Sequence, residues 1–175
     1  MPERASPLAQ SRTMSGLSHR SCASLVQHHA WPDRYAEMAK MLAKQCGAAD
    51  APAAGKAVSG AAGALLRIHP QRLWLISGQP GGHPALDPEV GMTLDLSHAR
   101  AIIHVADELA VPLLSRFIAI DVRPRCFATD DVAITPLHRV SVVLWRRSDG
   151  IDILAPRSFA RSIWDLLAET AERLG

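Results

Sequence analysis

Apolar positions along the chain recur with two periods, and the switches between them mark out the elements. From Cys22 to His29 a short run reads as a strand, with Cys22, Leu25 and Val26 as its apolar members. Tyr35, Met38, Leu42 and Cys46 then fall at i, i+3, i+7 and i+11, one face of a helix. Trp31-Pro32-Asp33 opens that helix, with Pro32 suited to the first helical position and Asp33 to the positive end of the dipole. Gly47 is placed to cap it. From Gly47 to Ala64 the chain turns to Ala and Gly, which bury too little apolar area to offset their ordering entropy, so residues 47–64 read as a flexible loop.

The remainder reads mostly as strands. Ala64–Ile68 and Leu73–Ile76 flank the turn His69-Pro70-Gln71. A long loop over Ser77–Pro88 is punctuated by Gly78, Pro80, Gly81, Gly82, Pro84 and Pro88. Met92–Leu96 and Ala101–Val105 follow as strands, then a helix from Asp107 to Phe117 with Pro112 inside it. After a turn at Asp121–Arg125 come strands at Phe127–Pro136, Val140–Trp145 and Ile151–Leu154, with Asp149-Gly150 as a hairpin signal. A last helix, Arg157–Leu174, has Phe159, Ile163, Leu167, Ala171 and Leu174 as its buried stripe. Arg161 with Asp165, and Glu169 with Arg173, form i, i+4 pairs on its surface. Strand runs broken by isolated helices predict an α+β fold, with mixed or antiparallel sheets and two to three packing helices.

Composition narrows the function. The 175 residues carry a net charge of only +2, which offers no electrostatic footprint for nucleic acid or an anionic membrane. No apolar run reaches the roughly 18–20 residues of a membrane helix. Residues 1–20 are rich in Ser and Arg and lack the apolar stretch of a secretory signal, so a disordered tail is expected there. Cys22, Cys46 and Cys126 are widely separated and form no CxxC pair, which suits three reduced, buried thiols in a cytoplasmic protein.

A search for chemistry gives few candidates. The eight histidines make no HxH or HExxH pair; His28 and His29 are adjacent, and His98 and His104 share a face only on one unbroken strand. Gly78-Gln79-Pro80-Gly81-Gly82 matches no phosphate-binding pattern and reads as a turn. Asp130-Asp131 reads as solvated turn residues. Asp95 differs, because it lies within the apolar strand Leu94-Asp95-Leu96 and there needs backbone N–H groups or an arginine as partner. It is expected to be a buried carboxylate that fixes a turn. Ser97 and His98 follow it directly. Arg157 and Arg161 lie in or near the first turns of the last helix, where the dipole disfavours cations, so a compensating partner is expected.

Several stretches carry a family likeness. They are Thr93-Leu94-Asp95-Leu96-Ser97-His98, the turn Pro124-Arg125-Cys126-Phe127, the strand Val140–Trp145, and above all the tail from Leu154 through Pro156-Arg157-Ser158-Phe159 and Trp164 to Leu167. Together they resemble the gamma subunit of heterotetrameric sarcosine oxidase over about residues 60–175. The resemblance implies the fold of the folate-binding domain of the glycine-cleavage aminomethyltransferase, here a single domain over 21–175. It implies a complex that oxidises sarcosine to glycine and peroxide and passes the carbon to tetrahydrofolate. FAD, FMN, NAD, tetrahydrofolate and zinc would then belong to the alpha, beta and delta subunits. The gamma subunit would bind no cofactor and no metal, hold no catalytic residue, and act in assembly.

One departure fits this. Where the aminomethyltransferase has paired glycines leading into a strand with the catalytic Asp, this chain has Leu137-His138-Arg139-Val140-Ser141-Val142-Val143, without carboxylate or Gly-Gly. Aromatics make up only 5%, leaving little to stack a pterin or flavin, and Trp74, Trp145 and Trp164 fall in predicted core elements. Asp95, Ser97, His98, Arg157, Arg161 and Trp164 are therefore expected as interface or structural residues. The competing reading is a stand-alone folate-binding or aminomethyl-transferring domain, with Asp95 holding the pterin.

Overall fold

The computed structural model describes residues 6–9, 11, 14–21, 23–79 and 85–174. Cys22, Pro80, Gly81, Gly82 and Pro84 lie outside the described residues. The chain divides into two compact units. Unit 1 takes Met1–Ser21, Ala99–Thr129 and Ala133–Gly175, and unit 2 takes Cys22–His98 with Asp130–Val132.

Unit 2 is a five-stranded sheet with one helix. Its strands are β2 (Ser24–Ala30), β3 (Ala57–Gly60), β4 (Gly63–His69), β5 (Arg72–Ser77) and β6 (Gly91–Asp95), in the order β3-β4-β5-β2-β6. Every pairing is antiparallel. Helix α1 (Tyr35–Cys46) packs its Met38, Leu42 and Cys46 onto Leu65, Leu73 and Leu75. The helical spacing read from the sequence is the spacing of this buried face. Gly47 closes the helix at φ 77, and its N–H bonds the carbonyls of Ala43 and Lys44. The helix opens later than expected. Asp33 sits at φ 67, outside helical geometry, and Tyr35 is the first helical residue.

The Ala/Gly stretch is not a loop throughout, because β3 and the start of β4 form a hairpin inside 47–64. The small residues serve close approach there. A Cβ on Gly60 would stand 2.3 Å from the Cys46 carbonyl oxygen.

Unit 1 is a second five-stranded sheet, in the order β1-β7-β10-β9-β8. Its strands are β1 (Leu17–Arg20), β7 (Arg100–Ala106), β8 (Val132–Leu137), β9 (Val140–Arg147) and β10 (Gly150–Pro156). Strand β8 begins five residues later than the sequence suggested. β1, β7, β10 and β9 pair antiparallel in that order. One face of the sheet presents Leu17, Ile103, Val105, Leu144, Ile151 and Ile153. Helices α2 (Asp107–Leu114) and α3 (Ala160–Glu172) close over it with Leu113, Leu114, Ile163, Trp164 and Leu167. A 3-10 turn, Arg157–Phe159, leads into α3.

Two expectations fail in unit 1. Residues 17–20 are a strand, not part of a disordered tail, and Leu8 before it is fully buried. Four residues with one inward apolar side chain carry no periodic signal; β7 supplies the surface that orders them, pairing Leu17 with Val105. Phe159 is 49% exposed, because the 3-10 turn rotates it off the buried stripe that Ile163, Leu167 and Ala171 continue. The hairpin signal at Asp149-Gly150 holds, joining β9 to β10. Gly150 sits at φ 151, where a Cβ would lie 2.1 Å from the Val105 carbonyl oxygen.

Candidate functional site

The densest polar constellation lies in unit 1, on the sheet face away from α2 and α3. Strand register builds it. Asp152 on β10 stands opposite His104 on β7 and Trp145 on β9. Arg20 on β1 lies two residues beyond Ser18, the partner of His104. The sheet period of two therefore turns all of these side chains to one face.

Asp152 is almost fully buried, with its side chain 3% exposed. Its Oδ1 lies 2.7 Å from His104 Nδ1 and 3.2 Å from Arg20 Nε. Its Oδ2 lies 3.9 Å from Arg147 Nη1. Arg20 Nη2 reaches both His104 Nε2, at 3.2 Å, and Asp149 Oδ2, at 2.5 Å. Arg147 also stacks over the Trp145 ring, 3.9 Å from its centroid.

These contacts fix the imidazole. Arg20 can only donate, so Nε2 of His104 accepts and the ring proton sits on Nδ1, donated to Asp152. Both ring nitrogens are thus engaged within the cluster. A general base presents one free nitrogen to substrate, with the carboxylate orienting the other. Here the second position is taken by an arginine, and the group ties β1, β7, β9 and β10 together. Burial pushes the Asp152 carboxyl above the ordinary carboxylate range, against the opposing pull of Arg20, His104 and Arg147. Asp149 goes the other way: its burial would raise it, and the hydrogen bond and charge of Arg20 outweigh that and hold it low.

The residues singled out in the sequence fall into two groups. Asp95 ends β6 and is exposed, not buried as expected, because β6 is an edge strand with Met92 and Leu94 also open to solvent. Its Oδ1 accepts from the Ser97 N–H at 2.8 Å, so it does fix a turn. Ser97 Oγ in turn accepts from the Leu25 N–H at 3.0 Å, tying that turn to β2. His98 is exposed in the same turn. In unit 1, Arg157 is exposed, and its N–H donates to the Ala99 carbonyl at 2.9 Å. Arg161 Nε donates to both oxygens of Asp165, each at 3.0 Å, so one of the two arginines finds its compensating carboxylate on its own helix. Trp164 is buried in the core and meets the edge of the His19 ring at 6.4 Å.

The structure brings Asp95 and Ser97 together, and it places Arg157 and Arg161 near one helix start. Sequence reading passed over Asp152. The signal was available, since Ile151-Asp152-Ile153 isolates a carboxylate between apolar residues just as Leu94-Asp95-Leu96 does. Among the described residues, no group of three or more His, Cys, Asp or Glu could hold a metal ion, and no helix is long and apolar enough to cross a membrane.

No protein-family model matches the chain. Sarcosine oxidase subunit gamma of an Arthrobacter species is 31% identical over 75 residues, which is 43% of this chain and 37% of that protein. The subunit of the same name from Corynebacterium sp. strain P-1 is 31% identical over 74 residues, 42% of this chain and 36% of that protein. The chain resembles sarcosine oxidase gamma subunits. The match spans little more than a third of the length of these relatives. A chain of the solved heterotetrameric sarcosine oxidase from Corynebacterium sp. U-96, in complex with pyrrole 2-carboxylate, has the same fold. Its TM-score is 0.77 at 21% identity, over 97% of this chain and 95% of that one. The likeness read from the sequence motifs is thus matched by relatives of that name, and the α+β reading by a solved fold.

Proposed function

We propose that the chain is the gamma subunit of a heterotetrameric sarcosine oxidase and acts in assembly and stability, not in the chemical step. The observation that carries this reading is the likeness in fold to a chain of such a heterotetramer over 97% of this chain. The sequence identity to the two gamma subunits supports it. The closed His104–Asp152 cluster supports the assembly role, because both imidazole nitrogens serve the sheet. On this reading, oxidation of sarcosine to glycine, with peroxide and methylene-tetrahydrofolate as products, belongs to the complex. FAD, FMN, NAD, tetrahydrofolate and zinc belong to its alpha, beta and delta subunits, and the complex works in the cytoplasm.

Co-expression with the alpha, beta and delta subunits tests the reading. The chain should co-purify with them in fixed proportion, and omitting it should lower the yield of soluble complex. A chain that stays monodisperse alone and never joins its partners refutes the proposal. Arg157→Glu combined with Arg161→Glu should weaken the association if the start of α3 faces a partner.

A further inference from the structure

Resting on the gamma-subunit reading, we propose that strand β6 takes up an extended, basic segment of a partner subunit as an added strand of the unit 2 sheet. β6 is an end strand of that sheet, paired on one side with β2. The Leu96 N–H donates to the Leu25 carbonyl at 2.8 Å, which fixes the alternation of the ladder. Leu94 and Met92, two and four residues back, turn their backbone groups toward β2 in the same way. Thr93 between them, opposite His28, turns its N–H and carbonyl outward. Among the described residues, neither of these groups has a backbone partner. Outward amide groups on an end strand are what an added strand pairs with.

The other end strands carry features that discourage such pairing. β8 contains Pro136, β1 is four residues long and ends on Arg20, and β3 is also four residues long. β6, Gly91-Met92-Thr93-Leu94-Asp95, has no Pro, Lys or Arg. It shows apolar side chains instead, with Met92 and Leu94 44% and 46% exposed. They alternate with Thr93 and so share a face. Met92 stands opposite His29, whose ring lies 6.4 Å from that of the exposed Trp31.

Charge selects the occupant. No Lys or Arg occurs between Arg72 and Arg100, and that stretch carries Asp87, Glu89 and Asp95. All three are exposed, and the fold sets them at the two ends of β6. Asp87 and Glu89 lie in the turn that leads into the strand, where the Asp87 carbonyl accepts from the Val90 and Gly91 N–H groups at 2.8 and 3.1 Å. Asp95 closes the other end. An incoming strand with Lys or Arg at its ends, and apolar side chains against Met92 and Leu94, answers both features.

A second copy of this chain answers only one. Antiparallel pairing of two β6 strands about Thr93 sets Met92 of each against Leu94 of the other, which suits both. It also sets Asp95 of each against Gly91 of the other, beside the turn with Asp87 and Glu89. Carboxylates of both copies then gather at each end, and like charges so placed disfavour the pair.

The test compares the complex co-expressed with alpha, beta and delta subunits with the isolated full chain. Hydrogen exchange of the Thr93 amide should slow about tenfold or more on assembly, while the Leu94 amide, already turned to β2, changes little. Met92→Ser with Leu94→Ser, both at exposed positions, should lower association about tenfold at every salt concentration. Asp87→Asn with Glu89→Lys keeps the acceptor that the residue 89 N–H uses. It should slow association about tenfold at low ionic strength, an effect that shrinks as salt is raised. Both variants should melt as the wild-type chain does when isolated, which separates docking from folding. An assembled complex in which Thr93 exchanges as fast as in the isolated chain overturns the proposal and leaves the gamma-subunit reading standing. So does wild-type association by both variants. Self-association of the isolated chain that protects Thr93 would make the occupant a second copy, and overturns it as well. Failure of the wild-type chain itself to assemble refutes the gamma-subunit reading, and the added strand with it.

Discussion

Replacing Asp152 separates two roles that a buried carboxylate can play. Burial raises its carboxyl above the ordinary range, outweighing the opposing pull of Arg20, His104 and Arg147. The sign follows. A raised folded value contributes stability below the ordinary carboxylate value near 4, and that contribution is lost as pH rises through the folded value. At pH 7 the charge is therefore a net cost, and the hydrogen-bond acceptor is what the site needs. Asp152→Asn keeps an acceptor for His104 Nδ1 and for Arg20 Nε and removes the charge, so it should change stability by less than about 1 kcal/mol.

Asp152→Ala removes the acceptor. Arg20 and Arg147 are each about one-third exposed and can recover water, but His104 is only 10% exposed and leaves a buried donor unmet. That costs about 1–3 kcal/mol. At about 2 kcal/mol, the melting temperature of a chain this size falls by about 4–8 °C. Urea unfolding at pH 7, followed by tryptophan fluorescence, reads both variants, and Trp145 sits directly opposite position 152. If the Asn variant falls as far as the Ala variant, the charge stabilises the sheet and the burial argument is wrong.

Four further outcomes are expected. Gly150→Ala should cost about 2–3 kcal/mol in urea, since φ 151 and the Val105 carbonyl both exclude a Cβ; a neutral result would mean that the hairpin shifts freely. Asp149 is held low by Arg20, so its contribution is present above the ordinary carboxylate value and is lost as pH falls below that through the lowered folded value; Asp149→Asn should flatten the acid limb of a melting-temperature profile. Leu113→Ala should cost about 2–5 kcal/mol because Leu113 is fully buried on the inward face of α2. Phe159→Ala should change stability by less than about 0.5 kcal/mol, and equal losses at both positions would show that the 3-10 turn packs inward.

What the sequence determined by itself was local. Periodicity placed α1 with its Met38, Leu42 and Cys46 face, Gly47 placed its cap, and Asp149-Gly150 placed the β9–β10 hairpin, because each is dictated by backbone geometry within a few residues. The buried tryptophans Trp74, Trp145 and Trp164 were legible as well, since large aromatics in apolar runs find the core.

Tertiary structure decided the rest. β1 exists because β7 offers it an edge, and β3 because β4 does, and neither has a pattern of its own to announce it. Asp95 and Asp152 look alike in sequence, each one carboxylate between two branched apolar residues. One became an exposed turn anchor and the other the buried centre of an ionic cluster. The difference lies in neighbours far along the chain. β6 stands at a sheet edge, whereas β10 is flanked by β7 and β9, and its Asp152 meets Arg20 from the start of the chain and His104 from its middle. Whether an isolated carboxylate is buried depends on which strands cover it, and strand order is a property of the folded sheet and not of any local stretch of residues.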